Sequence, residues 1–178
     1  MKSKSFFILL LFCINLGFGQ MRSKLDSAIN TTGYLCKYEV LQTANFKSLR
    51  FDAVRYSNLE NFSVLSGLKF IYKIQSGKEL KSMHAYIDQK DVEGLLMTLQ
   101  YMRTMLKSKT MPANYTEIKF TTTAGFQVML YTILNDKNNL SWKFSVIANV
   151  QNDKSYLECT TDDIVILEEA LSSLKNKI

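Results

Sequence analysis

The feature that most restricts how this chain can fold is an internal match. At an offset of 72 residues, the stretch from about Phe70 to Met102 aligns without a gap on Trp142 to Leu174. Phe70, Tyr72 and Ile74 fall on Trp142, Phe144 and Val146, and Ala85 and Ile87 on Leu157 and Cys159. Further on, Val92, Leu95, Leu99 and Met102 fall on Ile164, Leu167, Leu171 and Leu174, and Asp91 on Asp163. Self-similarity of this kind marks a supersecondary unit built twice. Upstream the offset becomes 80, placing Tyr38 and Val40 on Ile118 and Phe120, and Phe46 and Phe51 on Phe126 and Tyr131. The first copy then carries about eight extra residues near Ser57 to Gly67, between its second and third strands.

Within each copy the hydrophobic period changes from that of a strand to that of a helix. Phe70, Tyr72 and Ile74 alternate; Val92, Leu95, Leu96, Leu99, Met102 and Leu106 form a stripe wide enough to lie on a sheet. Ile164, Leu167, Ala170, Leu171 and Leu174 repeat it. Asp88 is placed to cap the first helix, and Thr160 with Asp163 resembles a capping box with a shortened acid. Ser76-Gly77-Lys78, Asn135 to Asn139 and Asn152-Asp153-Lys154 read as turns. Gly94 inside the first helix implies a close approach to the sheet, and Met97, Met102, Met105 and Met111 read as core filling at and beside the stripe. The pattern predicts an α+β fold of two tandem strand-rich repeats, each ending in a helix. Its antiparallel strands form one sheet or two abutting sheets, with both helices on one face. The repeats span about 34–107 and 115–178, joined by a polar linker at 108–114 that holds the only proline, Pro112.

The first nineteen residues read differently. Lys2 and Lys4 precede an apolar run from Phe6 to Phe18, and Gly17 and Gly19 stand three positions and one position before a cut ahead of Gln20. This is the pattern of a secretory signal peptide, and the run is shorter than the ~20 apolar residues a spanning helix needs. The expected mature chain, 20–178, is a single exported domain, periplasmic or secreted, with no transmembrane segment. Cleavage removes two lysines and no acid, so the formal charge falls from +6 to +4, well short of a nucleic-acid footprint. Export also leaves Cys36 and Cys159 in an oxidising compartment. Paired, they would close most of the mature chain and contribute about 4 to 5 kcal/mol on the loop-entropy model; unpaired, they are small buried hydrophobes.

The sheet face opposite the helices is the expected binding surface. It would present Ile71, Lys73, His84 and Tyr86 from the first copy and Ile147 and Tyr156 from the second. The segment Phe126 to Leu134 has almost no alternation, so Met129 and Tyr131 lie on a strand apolar on both sides, which requires cover. Sheet curvature, the segment Met21 to Gly33 folding across, a second subunit or a ligand would supply it.

Catalytic signatures are missing. There is no G-x-S-x-G elbow, H-E-x-x-H helix, glycine-rich phosphate loop or dinucleotide fingerprint. A single histidine, His84, limits any triad to that base, and Cys36, Cys159 and His84 make a poor zinc set. Asp162-Asp163 and Glu168-Glu169 are adjacent on a helix and point in different directions. No cofactor or metal is expected. These features favour a non-enzymatic exported binding module, whose partner is another protein, itself or a small apolar ligand. The rivals are a small exported hydrolase built around His84 and a structural envelope component.

Overall fold

The computed structural model describes residues 22–108, 110–135 and 139–178, so the expected signal peptide lies outside the described residues. A short helix α1 (Lys24–Ile29) precedes four strands, β1 (Cys36–Phe46), β2 (Leu49–Asn58), β3 (Val64–Ser76) and β4 (Glu79–Asp88), and a long helix α2 (Gln89–Lys107). Four further strands follow, β5 (Glu117–Thr121), β6 (Gln127–Leu134), β7 (Leu140–Ile147) and β8 (Tyr156–Cys159), then α3 (Asp163–Lys175). Each set of four is its own antiparallel sheet with strands in chain order. The expected α+β arrangement is therefore present, as two sheets rather than one. The hairpin at Gly77-Lys78 uses Gly77 at φ +64°, the left-handed position such tight turns need. No helix among the described residues is long and apolar enough to cross a membrane.

Alternation along the strands sends one set of side chains from each sheet into a shared core. Leu49, Phe51, Leu68 and Phe70 of the first sheet meet Val128, Leu130, Phe144 and Val146 of the second, together with both helix stripes. The stripes, Val92, Leu95, Leu99 and Met102 on α2 and Ile164, Leu167, Leu171 and Leu174 on α3, are wholly buried. All the inward positions matched at the 72-residue offset thus face the same core. Phe126 joins the sheets: its ring packs edge-on against Phe51 at 5.8 Å and Phe70 at 5.3 Å.

The helices are crossed between the repeats. Helix α2 lies beside β5 as well as β3 and β4, and α3 lies beside β1 and β2. Gly94 explains the first contact, since a Cβ there would stand 2.7 Å from the Phe120 ring of β5. The close approach that Gly94 implied is therefore made to the second repeat's sheet. Arg103 Nη1 lies 3.1 Å from Glu168 Oε2, and Lys175 Nζ 3.9 Å from Glu93 Oε1. Each bridge joins the later part of one helix to the earlier part of the other, so the two helices run antiparallel.

Each helix also reaches, through its first-turn aspartate, the first hairpin of the opposite repeat. Asp91 Oδ2 accepts from the Thr123 amide at 2.7 Å, in the β5–β6 turn. Asp163 meets Lys47 Nζ at 2.9 Å, in the β1–β2 turn. The expected capping box is half formed: the Thr160 amide and hydroxyl both donate to Asp163, at 2.7 and 3.0 Å. Burial acts to raise the Asp163 pKa, but Lys47 and the Thr160 donors together outweigh it and hold the carboxyl below its usual range.

Four expectations are corrected. The 80-residue offset upstream does not hold, because β1 bulges between Val40 and Gln42. Tyr38 and Val40, opposite Tyr56 and Val54, face away from the core, whereas Ile118 and Phe120 face it. Phe51 is buried in the core while Tyr131 is on the outer face; a slip of one residue exchanges the faces of a whole strand. Second, Asp88 stands at the N-cap position of α2 without bonding that helix. Its carboxylate instead accepts from the Lys24 and Leu25 amides at 2.9 and 3.0 Å, tying down the start of α1. Third, the N-terminal segment does cover a sheet, but the first rather than the second: Leu25 packs on Val54, Tyr56 and Tyr86. Fourth, Met102 is buried in the core, but Met97 is 70% exposed and fills nothing.

Gly67 lets α1 dock. A Cβ there would stand 2.3 Å from the Ile87 carbonyl oxygen and 3.0 Å from Leu25 Cδ2, and a backbone atom cannot swing aside. Gly67→Ala is expected to destabilise the protein by about 1 to 3 kcal/mol or more, as overpacking does. Urea denaturation checks this, and an unchanged midpoint would remove Gly67 as the residue that sets the approach of α1.

Candidate functional site

The eight expected surface residues all lie on faces turned away from the core, in two groups. On the first sheet Ile71 stands opposite His84, Lys73 opposite Ser82 and Tyr86 opposite Lys69. On the second, Met129 stands opposite Ser145, Tyr131 opposite Lys143 and Ile147 opposite Tyr156. The groups differ in access. Tyr86 is buried with Leu25 and Val54 beneath α1. Burial, then the neighbouring Tyr86 hydroxyl, pushes the Tyr38 phenol far above its ordinary value.

The outer face of the second sheet has no such cover. Met129, Tyr131, Ile133 and Ile147 are half-buried by their cross-strand neighbours and belong to neither apolar core, and Tyr156 is exposed. The Tyr131 and Tyr156 hydroxyls lie 3.4 Å apart. That contact, and after it partial burial, pushes the Tyr131 pKa up to about 12. At the centre of the face, Ser145 Oγ is buried without a hydrogen-bond partner among the described residues. An unpaired buried hydroxyl costs about 1 to 3 kcal/mol. Charged groups stand among these residues: Lys143 lies opposite Tyr131 and Glu158 opposite Ser145, and on β5 Lys119 and Glu117 pair at 2.8 Å while Tyr115 donates to Glu117 at 2.8 Å.

His84 borders a cleft of about 440 Å³ between α1, the edge of β4, the β5–β6 turn and the β7–β8 loop. Its one recorded partner is the Tyr86 ring, edge-on at 5.8 Å. Asp26, the one acid among the lining residues, accepts from Asn30 Nδ2 at 2.9 Å and lies 3.9 Å from Arg22 Nε. Several hydroxyls of the lining are committed to turns: Ser23 caps α1, Thr122 Oγ1 accepts from the Phe126 amide, and Thr121 Oγ1 accepts from Gln127.

The two described cysteines are not joined, which corrects the bridged alternative for Cys36 and Cys159. Cys36 is exposed at the start of β1, opposite Asn58 on the outer face, whereas Cys159 is buried on the inner face of β8. No side-chain motion can bring two opposed faces together. Burial pushes the Cys159 thiol up to about 11, with the Lys47 charge opposing it. A chain beginning at Gln20 should therefore take up one equivalent of a thiol reagent when native and two when unfolded. Two equivalents in the native state would contradict the placement of Cys159.

Ser145, Leu25 and Asp88 as the anchor of α1 were not marked as site residues by the sequence. A serine within an alternating strand carries no signal of isolation, and Asp88 satisfies a helix start to which it does not belong. No family model and no curated protein matches the chain. The functional reading therefore rests on the geometry of these surfaces. For Tyr131 the raised pKa favours the fold while the phenol is neutral. Its contribution is complete below pH ~10, the ordinary tyrosine value, and is lost as pH rises through about 12. Absorbance titration at 295 nm should show one fewer late-ionising tyrosine in Tyr156→Phe than in the parent; an unchanged late phase would separate the two hydroxyls.

Proposed function

We propose that this is an exported, non-enzymatic binding protein that holds a protein partner on the outer face of its second sheet. One observation carries the reading: the two sheets are built alike, yet among the described residues only the first has its outer face covered, by α1. The second presents Met129, Tyr131, Ile133 and Ile147 outside both cores. Apolar and aromatic side chains set beside charged ones are what protein interfaces draw on. Export is read from the leader-like residues 1–19. The hydrolase reading is weaker, because His84 has no acid to orient it and the Ser23, Thr121 and Thr122 hydroxyls of its cleft are engaged in caps and turns.

The test replaces Tyr131 with a photoreactive phenylalanine analogue in cells that export the chain. A discrete protein adduct is expected, and Met129→Lys should abolish it while shifting stability by no more than about 0.5 kcal/mol, as surface changes do. The absence of an adduct, or an adduct indifferent to Met129→Lys, would sink the proposal.

A further inference from the structure

A second surface lies at the start of β1. Seven of the eighteen exposed large hydrophobic side chains among the described residues fall between Tyr34 and Val64. Phe62 is 83% exposed, Leu35 64%, Val64 56%, Tyr34 52% and Leu59 43%, at the tip of the β2–β3 hairpin and on the strand leading into β1. The tip is closely bonded. The Leu59 amide donates to the Leu35 carbonyl at 2.9 Å and the Leu35 amide to Glu60 Oε1 at 3.1 Å. Asn58 Oδ1 accepts from the Glu60 and Asn61 amides at 2.9 and 3.2 Å. Phe62 itself is held at φ +59°, a conformation costly for a bulky residue.

The patch continues onto β1, where Tyr38 is exposed. β1 is also an edge strand, with one row of backbone groups lacking a strand partner among the described residues. Along its first half the charges are Lys37 and Glu39, paired with each other at 2.8 Å on one face. The bulge after Val40 turns the second half away and limits any added pairing to the stretch before it.

We propose that two copies of this chain pair antiparallel through the first halves of their β1 strands, about a two-fold axis at Tyr38. The register follows from charge. An axis at Tyr38 sets Lys37 of each copy opposite Glu39 of the other and Cys36 opposite Val40. Moving the axis by one residue sets Lys37 against Lys37 or Glu39 against Glu39, and moving it by two sets the charges against uncharged residues. A self-complementary pattern is what an isologous interface requires of a single surface. This surface is separate from the outer face of the second sheet.

Sedimentation of the chain Gln20–Ile178 over roughly 1 to 100 µM tests the proposal. The unmodified protein is expected to dimerise, and Lys37→Glu to weaken the dimer at least about tenfold through like charge. Combining Lys37→Glu with Glu39→Lys should restore it, and Met129→Lys should leave it unchanged. In a Cys36→Ser background, Tyr38→Cys should give a disulfide-linked dimer on oxidation, since that position faces itself across the axis. A monomer at all concentrations, a dimer indifferent to Lys37→Glu, or a dimer that does not link at position 38 would overturn the proposal.

Discussion

The structure depends on one aromatic junction. Phe126 stands at the entry to β6 and packs edge-on against Phe51 and Phe70, so the inner faces of two separately hydrogen-bonded sheets share a core. Neither sheet pairs its backbone with the other. Cohesion between the repeats therefore comes from side chains: this ring cluster, the crossed helices, and the bonds from Asp91 to Thr123 and from Asp163 to Lys47. Each helix thus stabilises the hairpin of its counterpart as well as its own sheet. A domain linked in this way is expected to unfold as one unit, because losing either helix opens apolar surface on both sheets.

The inner faces are alike and the outer faces are not, and the functional argument grows from that contrast. Gly67 lets Leu25 reach the first sheet, Asp88 bonds the start of α1, and together they hide Val54, Tyr56 and Tyr86. The second sheet has no such covering helix among the described residues and keeps Met129, Tyr131, Ile133 and Ile147 outside the cores. The β2–β3 hairpin adds a further asymmetry by exposing Phe62 and Leu59 at its bonded tip. Duplication supplies the scaffold, and departures from it supply the surfaces.

Much of this was legible before any coordinates. The helix stripes, the alternation in β3 and β7 and the outward placement of Ile71, Lys73, His84, Ile147 and Tyr156 follow from periodicity alone. The failures have separate causes. A bulge at Leu41 reversed the faces of β1 relative to the proposed match, and alternation cannot register a bulge because both readings keep the same composition. Asp88 was misassigned because a cap signal names an acid near a helix start without naming which helix it serves.

What the sequence determined by itself is local and periodic: two strand-rich units closed by amphipathic helices, their buried stripes, and the absence of the familiar catalytic motifs. These depend on neighbours within a few residues, where side-chain direction is dictated by backbone period. Tertiary structure decided the crossing of the helices, the covering of one outer face and not the other, the separation of Cys36 from Cys159, and the isolation of the Ser145 hydroxyl. Those outcomes turn on contacts between segments far apart in the chain, such as Gly94 against Phe120 and Leu25 over Gly67. Such contacts are selected by how apolar surfaces fit once both sheets exist, and no single segment carries that information.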